Sequence, residues 1–456
     1  RTVPACIGPT VTARVSRWAV GVLCGVLLFV TAAPSLAADP VAQPQTPAPA
    51  ATPPAPEAPP GTSPEADAAI TTQPAAPDYV FPIPDLKPGL GTHDGSWFWF
   101  QPHLAILEDY TWFEQDDASL AQVGKQEDTF EQRAFRPTLT FRGKGESKWE
   151  FFVAADFQEK RTREKTVFDL YDLRFTIPLG PVKISVGKMK PPNAYEVVGL
   201  SAQLPQQERI LRVFVDSRND GVQLQGLLAG DRMTWEAGVF NDWLETGASR
   251  PQDNATDYVA RVTGLAWVSP DNMNFLHLGL DLQRRGSDNG MMRFKARPET
   301  NVGSYYIDTG DFHADHANEV GLEAVWQRKG VTLMGEYFDA RVDAPQSGNP
   351  HFSAGYATAS WVLSGEGRPY VRALGAAGGI LPKGRFGAVE LVAKFSYISA
   401  TDGPIDGGVL NKWHFGVNWW ASAQWKVGVS YGNANLGKDG LAGNTKMVLM
   451  RLQWLY

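Results

Sequence analysis

The residues best able to do chemistry in this chain are cations set among carboxylates. Arg209 and Arg212 lie on a long link, 191–217, together with Glu196, Glu208 and Asp216, and Lys190 and Arg218 flank it. Arg136, Glu150, Asp172, Arg174, Glu390 and Lys394 occupy alternate positions of strand-like runs, on the polar side of each run. Guanidinium and ammonium groups hold anions through charge-assisted hydrogen bonds, so the set suits reversible ion binding better than bond making or breaking. Structural ion pairing is the competing use. Arg209 could simply pin its link, and Glu390 and Lys394, two same-face positions apart, could brace a wall.

Other chemistries are poorly supplied. Cys6 and Cys24 both fall in an N-terminal segment expected to be removed, which takes away thiol catalysis, a disulfide framework and cysteine-bound metal. His313 and His316, with Asp311 and Asp315 in DFHADH, offer imidazole and carboxylate donors, but no second cluster stands at ligand spacing, so a solvated loop is the expectation. Asp116-Asp117 lacks a partner acid, and there is neither a glycine-rich phosphate loop nor a nucleophile elbow. No catalytic residue, metal or cofactor is therefore expected. A net charge of -7 gives no nucleic-acid footprint.

The N-terminus reads as a secretory signal over residues 1–37. Arg14 and Arg17 precede an apolar core, Ala19 to Val30, too short for a confident spanning helix, and Ser35-Leu36-Ala37 offers cleavage before Ala38. Residues 38–90 are dense in Pro and Ala, which cannot bury a core and favour extended chain, so a disordered periplasmic spacer is expected there.

From Trp97 the pattern has period two. Val448, Met450, Leu452, Trp454 and Tyr456 share one face, with Arg451 and Gln453 on the other. Leu276, Leu278, Leu280 and Leu282 oppose His277, Asp281 and Gln283, and Trp413, Phe415, Val417 and Trp419 oppose Lys412, His414 and Asn418. Mean hydropathy is only -0.24, which a barrel with one apolar face per strand tolerates. Tight links (Gly230-Asp231, Pro270-Asp271-Asn272, Lys329-Gly330) alternate with long ones near 115–128, 191–217, 242–255, 285–316 and 435–444, the rhythm of a transmembrane β-barrel. The link near 365–384 breaks that rhythm, being long where a short turn is due. Sixteen antiparallel strands over 91–456 are expected, with the weak pattern at 290–309 left as loop, and such a barrel has room for an aqueous channel.

Several stretches then become recognisable: GKMKPPNAYE (187–196), ERILRVFVDSRNDGVQLQG (208–226), AGVFND (237–242), ASWVLSGEGRPY (359–370), FGAVELVAKFSYI (386–398), NKWHFGVNWW (411–420) and MRLQWLY (450–456). In this order and spacing the chain resembles the phosphate-selective porin O/P family from about Phe130 to Tyr456. The resemblance implies an all-β, 16-stranded, trimeric outer-membrane barrel with its third external loop folded inward. It also implies passive passage of small polar solutes or ions, with basic residues forming an anion path. Arg136 falls where the family has an inward arginine, and Arg209 matches the arginine of the loop's Glu-Arg pair. Two departures stand out. Val197 follows Glu196, and Glu150 follows Trp149, where phosphate-selective members carry lysines. With Arg209 and Arg212 set against three carboxylates on the link, the expectation is weak or altered ion preference. The alternative is a structural envelope protein, a largely closed barrel tethered through the Pro/Ala tail.

Overall fold

The alternation of apolar and polar side chains is absorbed by one large sheet. The computed structural model describes residues 93–94, 96–144, 148–157, 168–241 and 255–456; the signal segment, the Pro/Ala stretch, both cysteines and most of the 242–255 link lie outside them. The sheet has 17 strands, and setting aside the two-residue piece His93–Asp94 leaves sixteen. These are β1 (Phe98–Gln115), β2 (Thr129–Gly143), β3 (Glu150–Asp156), β4 (Asp169–Leu179), β5 (Val182–Met189), β6 (Asn219–Leu228), β7 (Met233–Asn241) and β8 (Asp257–Val268). They continue as β9 (Phe275–Gly286), β10 (His316–Arg328), β11 (Val331–Asp343), β12 (His351–Val362), β13 (Ala388–Asp402), β14 (Ile405–Trp420), β15 (Trp425–Lys438) and β16 (Leu441–Leu455). Each pairs antiparallel with its neighbours, and β16 pairs with β1, so the sheet closes and leaves no edge between first and last strand. Tyr456 completes the seam by exchanging backbone hydrogen bonds with Leu104, at 2.8 and 2.9 Å.

The barrel is apolar outside and polar inside. On β9, Leu278, Leu280 and Leu282 are 40–46% exposed, whereas His277 and Asp281 are fully buried. A soluble sheet would reverse this; a bilayer requires it, because the lipid-facing surface must be apolar and every backbone group must be paired. No helix among the described residues is long and apolar enough to cross a membrane.

The connections differ at the two ends. At the end bearing Tyr456 most are short, such as 180–181, 229–232 and 329–330, but 363–387 is long there, as its sequence indicates. The opposite end carries 116–128, 190–218 and 287–315. The 290–309 region forms only two-residue ladders, Met291–Met292 with Phe312–His313 and Lys295–Ala296 with Ile307–Asp308, outside the barrel sheet. One expectation fails: 435–444 is no long loop. β15 and β16 continue through it to a two-residue turn, Asp439-Gly440, with φ values of 54° and 72°. Asp-Gly takes two positive φ angles cheaply, and that is the tightest hairpin chemistry available.

Three connections, 190–218, 287–315 and 363–387, fill part of the interior, and Tyr370, Leu374 and Ala376 of 363–387 belong to the same buried apolar cluster as residues of the other two. Phe214 and Val215 from 190–218, and Phe294, Tyr306 and Ile307 from 287–315, pack with inner-face Phe338, Val342, Phe352, Leu410, Ala434, Leu436 and Met447 in one apolar cluster. This core sits against β11–β16. The opposite wall, β2–β6, keeps partly exposed inner-face residues such as Arg142, Arg174, Thr176, Lys183 and Gln223.

Candidate functional site

Four of the sequence-predicted cations, Arg136, Lys190, Arg209 and Arg218, gather at that open wall, and Arg212 sits on the turn Leu211–Val213 near Arg209. Arg136 on β2 pairs with Asp156 of β3 at 2.5 Å, and its guanidinium stands 3.5 Å from the ring centre of Tyr171 on β4. Arg218, just before β6, pairs with Asp172 at 3.3 Å and lies 3.8 Å from the same ring. Lys190 donates to the carbonyls of Val198 and Gly199 at 3.2 and 2.6 Å, and Arg209 donates to Gly199 at 2.9 Å. Two cations thus share the Gly199 carbonyl, which follows the short helix Tyr195–Val198. Burial and the adjacent charges of Arg218 and Arg209 push the Lys190 ammonium well below its usual range. Burial, with Arg218 and Arg212 nearby, holds Arg209 down to about 10. Both shifts report burial first, with neighbouring positive charge adding to it. The Nε of Arg209 is buried and has no hydrogen-bond partner. Arg212 is exposed and makes no ion pair among the described residues.

The carboxylates of 190–218 are committed elsewhere, which alters the charge balance read from composition. Glu196 is buried and takes Leu211 N at 2.7 Å and Lys394 at 3.3 Å. Glu208 sits between Arg133 at 2.8 Å and Arg451 at 2.7 Å. Burial opposes its ionisation, but these two guanidiniums win and hold it below the usual carboxylate range. Asp216 accepts from Asn219 and lies 3.8 Å from Arg285. Carboxylates outnumber arginines on 191–217 by three to two, yet none of them forms an ion pair with Arg209 or Arg212.

The remaining predicted wall residues form ion pairs within the wall or to inserted connections. Glu150 bridges Arg142 at 3.0 Å and Arg174 at 2.9 Å. Lys394 is fully buried between Glu196 and Glu299, the latter at 2.6 Å. Glu390 takes Arg368 at 2.7 Å and the Trp420 indole at 3.0 Å. Glu390 and Lys394 therefore do not brace each other; each holds an inserted connection. Where a family lysine was expected, Val197 is fully buried in the apolar cluster.

The segment 190–218 is anchored to inner-face groups around much of the barrel. Ala194 N donates to Asp281 on β9 at 3.1 Å, and Tyr195 N and Glu196 N donate to Glu336 on β11 at 2.6 and 2.9 Å. Lys426 of β15 donates to the carbonyls of Ala202 and Leu204 at 3.0 and 3.2 Å, and Arg451 of β16 to that of Gln207 at 2.7 Å.

Sequence reasoning missed Arg133 and Tyr171, for the same reason. The β1–β2 pairing steps from Leu107↔Ala134 to Glu108↔Gln132, leaving Arg133 as the extra residue of a bulge. The β3–β4 pairing steps from Ala154↔Asp172 to Ala155↔Leu170, leaving Tyr171 likewise. A bulge puts two successive residues on one face, so simple alternation assigns both side chains to lipid. Arg261, His277 and Glu323, a buried network with Arg261 and His277 at 2.9 and 2.8 Å from Glu323, fit the alternation, but parity does not rank one inward polar residue above another. His316 lies 3.7 Å from Asp343, and no metal-holding group of carboxylate and imidazole side chains occurs among the described residues.

Comparison with known proteins agrees with this architecture. Residues 109–456 match the family described as phosphate-selective porin O and P. The anion-selective porin from Comamonas acidovorans is similar in fold, with TM-score 0.52 and 11% identity, covering 79% of this chain and 100% of that one. The outer membrane channel DcaP of Acinetobacter baumannii gives TM-score 0.50 and 11% identity, covering 80% and 99%. OmpT of Vibrio cholerae gives 0.50 and 12%, covering 80% and 100%. No curated protein sequence matches the chain.

Proposed function

The chain belongs to the phosphate-selective porin O and P family and is an outer-membrane channel for small solutes; on that premise we propose that it prefers anions, without a phosphate-specific filter. The observation that carries this is the pairing imbalance on the open wall. Lys190 and Arg209 crowd one carbonyl, and Arg212 is exposed without a carboxylate. A mobile anion passing there gains attraction from groups that the protein itself leaves under-compensated. Arg136 and Arg218 stand behind them on Tyr171, with Asp156 and Asp172 tempering the field. The same tempering argues against tight phosphate capture, as does Glu150 in a position where a lysine would add charge.

Phosphate competition tests this reading. Added to a chloride bath in a planar bilayer, phosphate should reduce chloride current only at tens of millimolar, roughly as a second anion sharing the path. Half-block near micromolar phosphate would overturn it. The second reading, a barrel too filled to conduct, draws on the fully buried Lys394 and Arg261, and absence of any conductance step would favour it.

The assembly we propose is a homotrimer with the N-terminal segment in the periplasm. β5 has 8 residues against 16 in β14. Tilted as barrel strands are, a strand of that length rises only about 20 Å, short of an apolar band of about 25 Å. The low wall is faced by aromatics, with Phe141 within 6.2 Å of Phe98, Phe100 and Phe151, and Trp149 stacked on Phe175 at 6.0 Å. Packing against other copies would shield this stretch. A high-mass band on unheated gels that collapses to monomer on boiling is expected, and a monomer before heating would contradict it.

A further inference from the structure

The lipid-facing side of β8–β12 ends in a row of polar side chains. On β9 the outward residues Leu278, Leu280 and Leu282 are 40–46% exposed, and the next outward position is Arg284. On β10 the outward Leu322 and Val320 give way to Asn318, and on β11 Leu333 and Tyr337 give way to Asp339 and Arg341. Strand register sets these changes at one level. Arg284 is paired with Tyr258 of β8 on one side and Asn318 of β10 on the other. Asn318 is paired in turn with Arg341 of β11, and Arg341 with His351 of β12. Five neighbouring strands thus carry Tyr258, Arg284, Asn318, Arg341 and His351 in line, all exposed, while the adjacent Gln283, Glu319, Ala340 and Phe352 are buried on the inner face. The row lies at the end with the long connections, which is the external end in barrels of this kind.

The charge of the row is not spent within it. Arg284 forms no ion pair among the described residues. Arg341 has a side chain 80% exposed and lies 3.4 Å from Asp339, a carboxylate that also binds His351. Asp343, one outward step beyond Arg341, lies 3.7 Å from His316. Arg284 and Arg341 stand on alternate strands, about 10 Å apart at the backbone, with the Asn318 amide between them. Two guanidiniums and an amide converging on one point suit a phosphate, which accepts several charge-assisted hydrogen bonds at once. At this level of an outer membrane the phosphates belong to lipopolysaccharide. They are monoesters with three free oxygens and close to two negative charges, more than the phosphodiester of a phospholipid offers. The leucines below the row would meet its acyl chains. The row also stands across the barrel from the low wall of β2–β5, so a trimer built on that wall leaves it facing lipid.

We propose that Arg284, Asn318 and Arg341 hold one phosphate of lipopolysaccharide, seating a single lipid on the outer wall and away from the pore. Asp339 is the positioning residue for Arg341.

Native mass spectrometry of the purified protein, delipidated and titrated with diphosphoryl lipid A, tests this. The parent should hold one lipid A per chain, and dephosphorylated lipid A and phosphatidylglycerol should each bind about tenfold more weakly or worse. Arg284→Gln combined with Arg341→Gln should weaken lipid A binding about tenfold, with a heat-modifiable band on gels confirming that the variant folds. Undiminished lipid A binding by the folded variant overturns the proposal. Equal affinity of the parent for the dephosphorylated lipid or for phosphatidylglycerol overturns it as well, and that comparison decides alone if the variant does not fold.

Discussion

Arg212 is the residue at which the ion preference is most exposed to test. Its side chain is solvent-exposed and makes no ion pair among the described residues, so substitution should leave folding intact. Arg212→Glu reverses one charge on the path and should move the reversal potential toward cations, with Arg212→Ala giving a smaller shift of the same sign; unchanged potentials in both would remove Arg212 from the anion path. Glu208 is the opposite kind of residue. It is buried between Arg133 and Arg451. Glu208→Gln removes the carboxylate that Arg133 and Arg451 share, although Arg451 keeps Asp109 at 2.6 Å, and should cost about 3 kcal/mol of folding stability, read by denaturant unfolding in detergent. The contrast shows what charge composition conceals. Arg209 and Arg212 look balanced by Glu196, Glu208 and Asp216 in the sequence, but the balance lies with Lys394, Arg133, Arg451 and Asn219. Long-range pairing decides it, and a linear pattern carries no information on that.

At the scale of elements, the two-faced strands were legible from alternation, but that the apolar face meets lipid needed the link lengths and the family motifs as well. Leu280→Arg, in the middle of the exposed face of β9, should destabilise the barrel by about 2–4 kcal/mol if that face meets lipid, whereas a solvated face would tolerate it. Two bulges mark where legibility ends. Arg133 and Tyr171 follow lipid-face parity in sequence and turn inward because each strand gains one residue over its partner. The 435–444 hairpin failed for a related reason: polar Asn and Gly residues read as loop, but β15 and β16 keep pairing to the Asp439-Gly440 turn. The 287–315 connection carries a pH signature. Burial alone would raise the Glu299 carboxyl, but Lys394 and Lys412 hold it at about 2. Because the folded value is depressed, the stabilisation is complete above the ordinary carboxyl value of 4.5 and drains away as pH falls toward about 2. Thermal unfolding should show added acid sensitivity in that window, and Glu299→Gln should remove it. A variant with an unchanged acid profile would contradict the assignment.

For the molecule as a whole, the lumen is asymmetric. The apolar cluster of 190–218 and 287–315 occupies the side of β11–β16, the 363–387 connection lies along β6–β10 near one mouth, and the inner face of β2–β5 stays partly exposed. The family's fold and the inward third loop were readable from motifs such as GKMKPPNAYE and the terminal MRLQWLY strand, whereas the filling by 287–315 and 363–387 was not, since it depends on contacts such as Lys412 with Pro298 and Arg261 with Gly375, 114 positions apart. The most direct measurement is the zero-current potential of the purified protein in a planar bilayer under a potassium chloride gradient. An anion-preferring channel gives discrete conductance steps and a potential displaced toward the chloride equilibrium value. A potential displaced toward that of potassium, or a membrane that stays silent, would contradict the account.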